Sequence, residues 1–244
     1  MFNSVVINIP HSSMLIPDYR EYTDIGLLYR NMLLLTDHYT DELFSVKKEN
    51  CTPIIFNINR FYCDVERFFN DADEIMSKYG HGVAYTKTCD GMILRPSPQM
   101  DKVKRLYDNY HASVLSTINQ SVEKFGNCLL LDAHSFPSVP LPMDLNQDAN
   151  RPDFCIGFNQ DGSKPSDESL TLIKDYLTTN GFSVSFNNPY AGSIFYPELK
   201  DSNVKNVMIE VNRKLYMDEK TYFKNSNFNT IKTHISNLIK LLSL

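Results

Sequence analysis

Six short runs rich in Val, Ile, Leu and Phe recur along the chain, at residues 4–10, 53–58, 128–133, 153–158, 182–186 and 206–211. Their nearly continuous apolar character predicts strands buried on both faces. Between them the apolar positions change to a helical period. Over residues 23–47, Leu27, Leu28, Leu34, Leu35, Leu43 and Phe44 form one stripe. Over 101–125, Val103, Leu106, Tyr107, Tyr110, Val114, Leu115 and Ile118 form another. Helices are also predicted over 166–179 and 227–243. Strands alternating with helices in this way predict an α/β sandwich with a largely parallel sheet. A hairpin is expected where 83–88 and 92–95 flank Asp90-Gly91, a favoured tight-turn pair. Residues 136–152 are rich in proline and lack periodicity. A loop of that length is more often functional than idle. No repeat, low-complexity tract or boundary interrupts the pattern, so one domain over 1–244 is expected.

Composition narrows the function classes. The 244 residues carry 24 Lys and Arg against 29 Asp and Glu, a net charge of −5, with no long basic block. Nucleic-acid binding therefore has little support. The cysteines at 51, 63, 89, 128 and 155 are scattered and form no C-x-x-C pair. That argues against a disulfide framework and a thiolate zinc site, and a reducing, cytoplasmic compartment is the expectation. No basic segment leads into an apolar one at the start, and no apolar stretch is long enough to span a bilayer. Serine-hydrolase elbows, P-loops and dinucleotide fingerprints are absent from the sequence.

The chemistry gathers at strand ends. The run Val5–Ile9 leads into His11, and Cys128–Ala133 leads into His134. In open α/β sheets the carboxyl ends of the strands are where ligands bind, and histidine is the commonest protein metal ligand. Glu210 lies inside Val207-Met208-Ile209-Glu210-Val211. A carboxylate buried there must be paired, metal-linked or catalytic, and burial raises its pKa toward that of a general base. Asp37, His38 and Asp41 fall together on the predicted first helix, with Asp37 and Asp41 sharing a face. One of them would complete a two-histidine, one-carboxylate site for a divalent metal, zinc first among the candidates. Arg60, Asp64 and Arg67 follow the second strand and Arg213 follows the last. They form either a structural ion-pair network or a site for a substrate carboxylate and an oxyanion. Asn188, Tyr190 and Gly192 follow the strand at 182–186.

Taken in order, the motifs resemble the N-formylglutamate amidohydrolase family. The matching stretches are Ile9–Ser13, Thr36–Phe44, Asn59–Arg67, Thr86–Gly91, Tyr107–Ala112, Leu131–Ser138, Pro152–Phe154, Asn188–Gly192 and Ile209–Met217. The resemblance implies a zinc-peptidase-like three-layer sandwich and a metal-dependent hydrolase of the formyl–nitrogen bond of N-formyl-L-glutamate, a step of histidine breakdown. Carried over by position, it implies His11, Asp37 and His134 as metal ligands and Glu210 as general base. It implies Arg60, Arg67 and Arg213 at substrate carboxylates or the oxyanion, and Asp64, Asn188, Tyr190 and Gly192 around the pocket. Glu66 stands where the family pattern often has Asn, which brings an acid to a pocket meant for a dicarboxylate.

The expectation is a single-domain α/β metal hydrolase acting on a small carboxylated substrate. Two alternatives stand beside it. One is a deacylase or carboxypeptidase for another N-acyl amino acid or short peptide. The other is a non-catalytic anion-binding protein on the same fold.

Overall fold

The computed structural model describes residues 1–194, 196–199 and 203–243. Its centre is one sheet of six strands: β1 (Val5–Ile9), β2 (Cys51–Ile55), β3 (Cys128–Phe136), β4 (Phe154–Gly157), β5 (Val184–Phe186) and β6 (Val204–Asn212). The spatial order is β2-β1-β3-β6-β4-β5. Strands β2, β1, β3 and β6 run parallel. Strand β4 is antiparallel to β6 and parallel to β5, so the sheet is mixed as well as largely parallel.

Strand alternation sorts the side chains into two cores. Val5, Ile7, Ile9, Leu129, Leu131, Ala133, Val207, Ile209 and Val211 face one side. There they meet α2 (Thr40–Leu43), α4 (Asp167–Thr179) and α5 (Phe228–Leu242). Val6, Cys128 and Leu130 face the other, against α1 (Ile25–Leu35) and α3 (Met100–Phe125). Helices on both faces of one sheet make the three-layer α/β sandwich that the sequence implied. Leu28, Met32 and Leu35 carry the buried stripe of α1, and Val103, Tyr110, Val114 and Ile118 that of α3. No helix among the described residues is long and apolar enough to cross a membrane.

Several expectations change. The helix predicted over 23–47 is two helices, because Thr36 leaves α1 with ψ 135° and Tyr39 takes a left-handed φ of 66°. The break is held from outside. The Asp37 N–H donates to the His11 carbonyl, and the Asn59 amide donates to Thr36 Oγ1 and to the Ser13 carbonyl. Asp37 therefore lies between the helices, not on a face shared with Asp41. The run at 53–58 is shifted to Cys51–Ile55 and forms an edge strand, with Thr52, Pro53 and Ile55 exposed. Pro53 has no N–H to give a neighbour, which suits an edge. The hairpin is present but short. Gly91 has φ 87° and its N–H donates to the Thr88 carbonyl, and the flanks pair at the antiparallel bridge Lys87–Ile93, with the Thr88 N–H on the Met92 carbonyl and the Leu94 N–H on that of Thr86. Finally, β3 continues through Phe136, so His134 lies within the strand instead of closing it.

Candidate metal centre and active site

Two residues apart on β3, Asp132 and His134 point to the α1/α3 face, as the period of a strand requires. His134 lies opposite Glu210 on β6, and Asn8 on β1 lies opposite Asp132. The segment after β1 brings His11 to the same place, and the break after α1 brings Asp37. All five acids and histidines, and Asn8, are buried.

Asp37 joins the two histidines. Its Oδ2 lies 3.1 Å from His134 Nδ1 and 3.8 Å from His11 Nδ1. The imidazoles stand 5.2 Å apart. Behind each histidine lies a second carboxylate. His11 Nε2 donates to Asp64 Oδ1 at 2.8 Å, and His134 Nε2 pairs with Asp132 Oδ1 at 3.0 Å. Both rings thus turn Nδ1 toward Asp37. His11 Nδ1 is buried and has no hydrogen-bond partner among the described residues. One donor atom from each of His11, Asp37 and His134 lies within 4.8 Å of the others.

This donor set fits a divalent metal. Two imidazole nitrogens and one carboxylate oxygen are the ligands of an open catalytic zinc site. The carboxylate behind each imidazole is the usual partner of a metal-binding histidine, fixing its tautomer and orientation. The orphaned His11 Nδ1 has no other evident use. Glu66, Asp132 and His134 form a second trio of suitable spacing. There, however, His134 Nε2 and Asp132 Oδ1 already bond to each other, and Asn8 Nδ2 donates to both carboxylates at 2.8 Å. His38 turns away, its Nε2 donating to the Leu33 carbonyl at 2.8 Å. Asp41 is in neither trio. Among the three acids and bases near position 37, the structure thus brings Asp37 to the histidines.

The arginines divide by what they already hold. Arg213 Nη2 donates to Asp37 Oδ1 at 3.0 Å, leaving Oδ2 toward the histidines. Its remaining nitrogens reach the Leu34 carbonyl at 2.6 Å and Ser135 Oγ at 3.2 Å. Arg60 donates twice to Asp64 Oδ2, at 3.1 and 2.9 Å, and Tyr85 adds its hydroxyl at 2.8 Å. With the Glu66 N–H on Oδ1, Asp64 is fully enclosed by protein donors. It holds His11 and Arg60 in place; no oxygen is left open to a pocket. Arg67 differs. Its Nε lies 3.7 Å from Asp64 Oδ2 and is buried with no hydrogen bond among the described residues.

The electrostatics follow from these contacts. Burial pushes the Asp37 carboxyl up, but the facing His11 and His134 imidazoles and the Arg213 charge outweigh it and hold it well below its usual value. Burial likewise opposes ionisation of Asp64, and the Arg60 and His11 charges overcome it. Glu210 goes the other way. Burial pushes it up to about 8, against the opposing pull of His134. Its Oε2 has no hydrogen-bond partner among the described residues. A carboxyl poised there has the free acceptor and the basicity of a proton carrier at neutral pH.

The sequence profile of the N-formylglutamate amidohydrolase family matches residues 3–217. The chain belongs to this family. A crystal structure of N-formylglutamate amidohydrolase from Ralstonia eutropha aligns with a TM-score of 0.84 at 22% identity, covering 98% of this chain and 92% of that one. A gene product from Agrobacterium tumefaciens aligns with a TM-score of 0.68 at 15% identity, covering 98% and 90%. These likenesses extend the family's agreement to the fold. No curated protein sequence matches.

The remaining family-implied positions form one wall on the loop after β5, where Tyr190 comes close enough to Glu210 for the two to interact electrostatically. Asn188 and Gly192 lie on the loop after β5, and so does Tyr190, whose hydroxyl accepts from Arg151 Nη1 at 2.9 Å. Arg151 also holds Asp144 at 2.7 Å and the Pro137 carbonyl at 3.2 Å, so it ties loop 136–152 to Tyr190. Asn146 donates to Asn188 between the same two loops. Gly157 on β4 lets the wall pass close: a Cβ there would lie 2.3 Å from the Gly192 carbonyl. Asp132, Tyr85 and Arg151 escaped the sequence reading. Asp132 had a signal, since it lies two residues before His134 in a strand. Tyr85 and Arg151 had none, because their partners are remote in sequence.

Proposed function

We propose that this protein is a metal-dependent amidohydrolase of small N-acyl amino acids, with N-formyl-L-glutamate as its leading substrate and zinc as its leading metal. The observation that carries the reading is the convergence of His11 Nδ1, His134 Nδ1 and Asp37 Oδ2 beside Glu210. Family membership makes the amide bond the reaction centre and supports the formyl group as the acyl portion.

His11, Asp37 and His134 would hold the metal. A divalent ion so held supplies Lewis acidity to a carbonyl and lowers the pKa of water. Asp64 and Asp132 keep the two imidazoles turned inward, and Arg213 holds Asp37 so that one oxygen stays available. Glu210 Oε2 takes a proton from the attacking water. The water oxygen bonds to the formyl carbon, the carbon–nitrogen bond breaks, and Glu210 returns the proton to the leaving amine. The products are formate and the free amino acid. Arg60 and Arg213 are already engaged by Asp64 and Asp37, so Arg67 is the arginine left to receive a substrate carboxylate. Tyr190, held by Arg151, walls the pocket.

Release of formate and glutamate from N-formyl-L-glutamate, measured after chelation and after zinc return, tests the reading. Zinc-restored release is the expected result. Glu210→Gln should reduce turnover by at least about 100-fold, the lower end for losing a positioned general base, with metal content unchanged. Turnover unaffected by Glu210→Gln would remove it from the base role. A zinc-loaded protein inert on formylglutamate but active on another N-acyl amino acid would move the substrate and keep the reaction.

A further inference from the structure

We propose that Asn8 is a positioning residue for both metal-binding histidines. The inference rests on the metal-site reading above. Asn8 is fully buried in a strand whose other residues are all apolar. A buried amide is costly unless its polar atoms are paired. Here both bonds that the amide donates go into the network behind the histidines. Asn8 Nδ2 donates to Asp132 Oδ1 and to Glu66 Oε1, each at 2.8 Å. Asn8 Oδ1 accepts the Tyr110 hydroxyl from α3.

The two acids lead to different histidines. Asp132 Oδ1 receives both Asn8 Nδ2 and His134 Nε2. The Glu66 N–H donates to Asp64 Oδ1, the same oxygen that receives His11 Nε2. One amide therefore lies directly behind the carboxylate of His134 and, through Glu66, behind that of His11. Its Nδ2 is also the donor that these two acids share. Strand pairing puts it there, since Asn8 and Asp132 are cross-strand neighbours. Tyr110 fixes which way the amide faces. Flipping it would aim the carbonyl at two carboxylates and lose both bonds to them. Aspartate would keep the shape and place a third acid against the other two.

Zinc affinity by chelator competition, on the full chain, tests the role. The set is wild type, Asn8→Ala, Tyr110→Phe, Asp132→Asn and the Asn8→Ala/Asp132→Asn double variant. The d–d spectrum of the cobalt-substituted protein is recorded for each. Asn8→Ala should weaken zinc binding by about tenfold, the low end for losing an outer partner of a metal ligand, and shift the cobalt bands. Tyr110→Phe should weaken it less. The double variant should lose less than the sum of the two single losses, because Asn8 acts partly through Asp132 and partly through Glu66. A lowered melting temperature with unchanged zinc affinity and cobalt spectrum would make Asn8 merely structural and overturn the proposal. Additive losses in the double variant would overturn it too. If Asn8→Ala does not fold, Tyr110→Phe carries the test: an unchanged affinity and spectrum there overturns the role. A wild-type protein that binds no zinc would instead overturn the metal reading beneath it.

Discussion

Replacing Arg213 with Met separates a substrate-binding arginine from one that holds the site together. Sequence offers Arg213 as a ligand for a carboxylate substrate. In the structure its guanidinium meets Asp37, the Leu34 carbonyl, and both the hydroxyl and carbonyl of Ser135. The Arg213 side chain is 5% exposed and that of Asp37 3%, so water can replace few of these bonds. Met preserves the apolar stem and removes every donor. Removing one partner of a buried ion pair costs about 3–5 kcal/mol when the other charge is left unpaired, and the low end applies here because His134 Nδ1 still faces Asp37. For a chain of 150–250 residues, about 2–4 °C of melting temperature corresponds to each kcal/mol. The expected fall is therefore about 6–12 °C. It is measured by thermal unfolding of metal-free protein, so that no cation compensates Asp37. KM for N-formyl-L-glutamate is measured alongside on the zinc-loaded protein, below the unfolding range. A melting temperature lowered by less than about 2 °C, with KM raised more than tenfold, would refute the assignment and return Arg213 to the substrate.

Other groups make independent predictions. His111 accepts or donates at Nδ1 with the Tyr196 hydroxyl at 2.9 Å, while its Nε2 is buried without a bond among the described residues. Burial lowers its pKa from 6.5 to about 4, so between those values the unfolded chain binds the proton that the folded chain refuses. Its contribution to stability is intact above about pH 6.5 and falls by up to about 3 kcal/mol as pH drops to 4. Denaturant titrations of wild type and His111→Gln should show that difference with pH, and a pH-independent gap between the two would contradict it. Zinc returned to chelated protein at 100 times its dissociation constant should raise stability by about 2.7 kcal/mol, read as a higher melting temperature. An unchanged melting temperature would count against zinc binding by the folded state.

Local pattern settled what depends on near neighbours. Apolar runs of strand length alternating with helical stripes determined an α/β sandwich, because each element must bury the face its own sequence makes apolar. The same period placed Asp132 and His134 on one side of β3. Glu210 was legible as an anomaly, an acid within an apolar run. Tertiary structure decided the rest. Local pattern read 23–47 as one helix, while the His11 carbonyl and Asn59 hold it open at Thr36 and free Asp37 to reach the histidines. Whether a strand is central or at an edge depends on its neighbours, so the run at 53–58 looked buried, whereas the strand that forms, Cys51–Ile55, is half exposed. The direction of β4 was equally invisible, because strand pairing joins residues far apart in sequence. The arginines make the division plainest. Their charge is written in the chain, but which carboxylate neutralises each is fixed only by folding. That choice leaves one Asp37 oxygen facing the histidines, encloses Asp64 completely, and leaves Arg67 with a donor to offer.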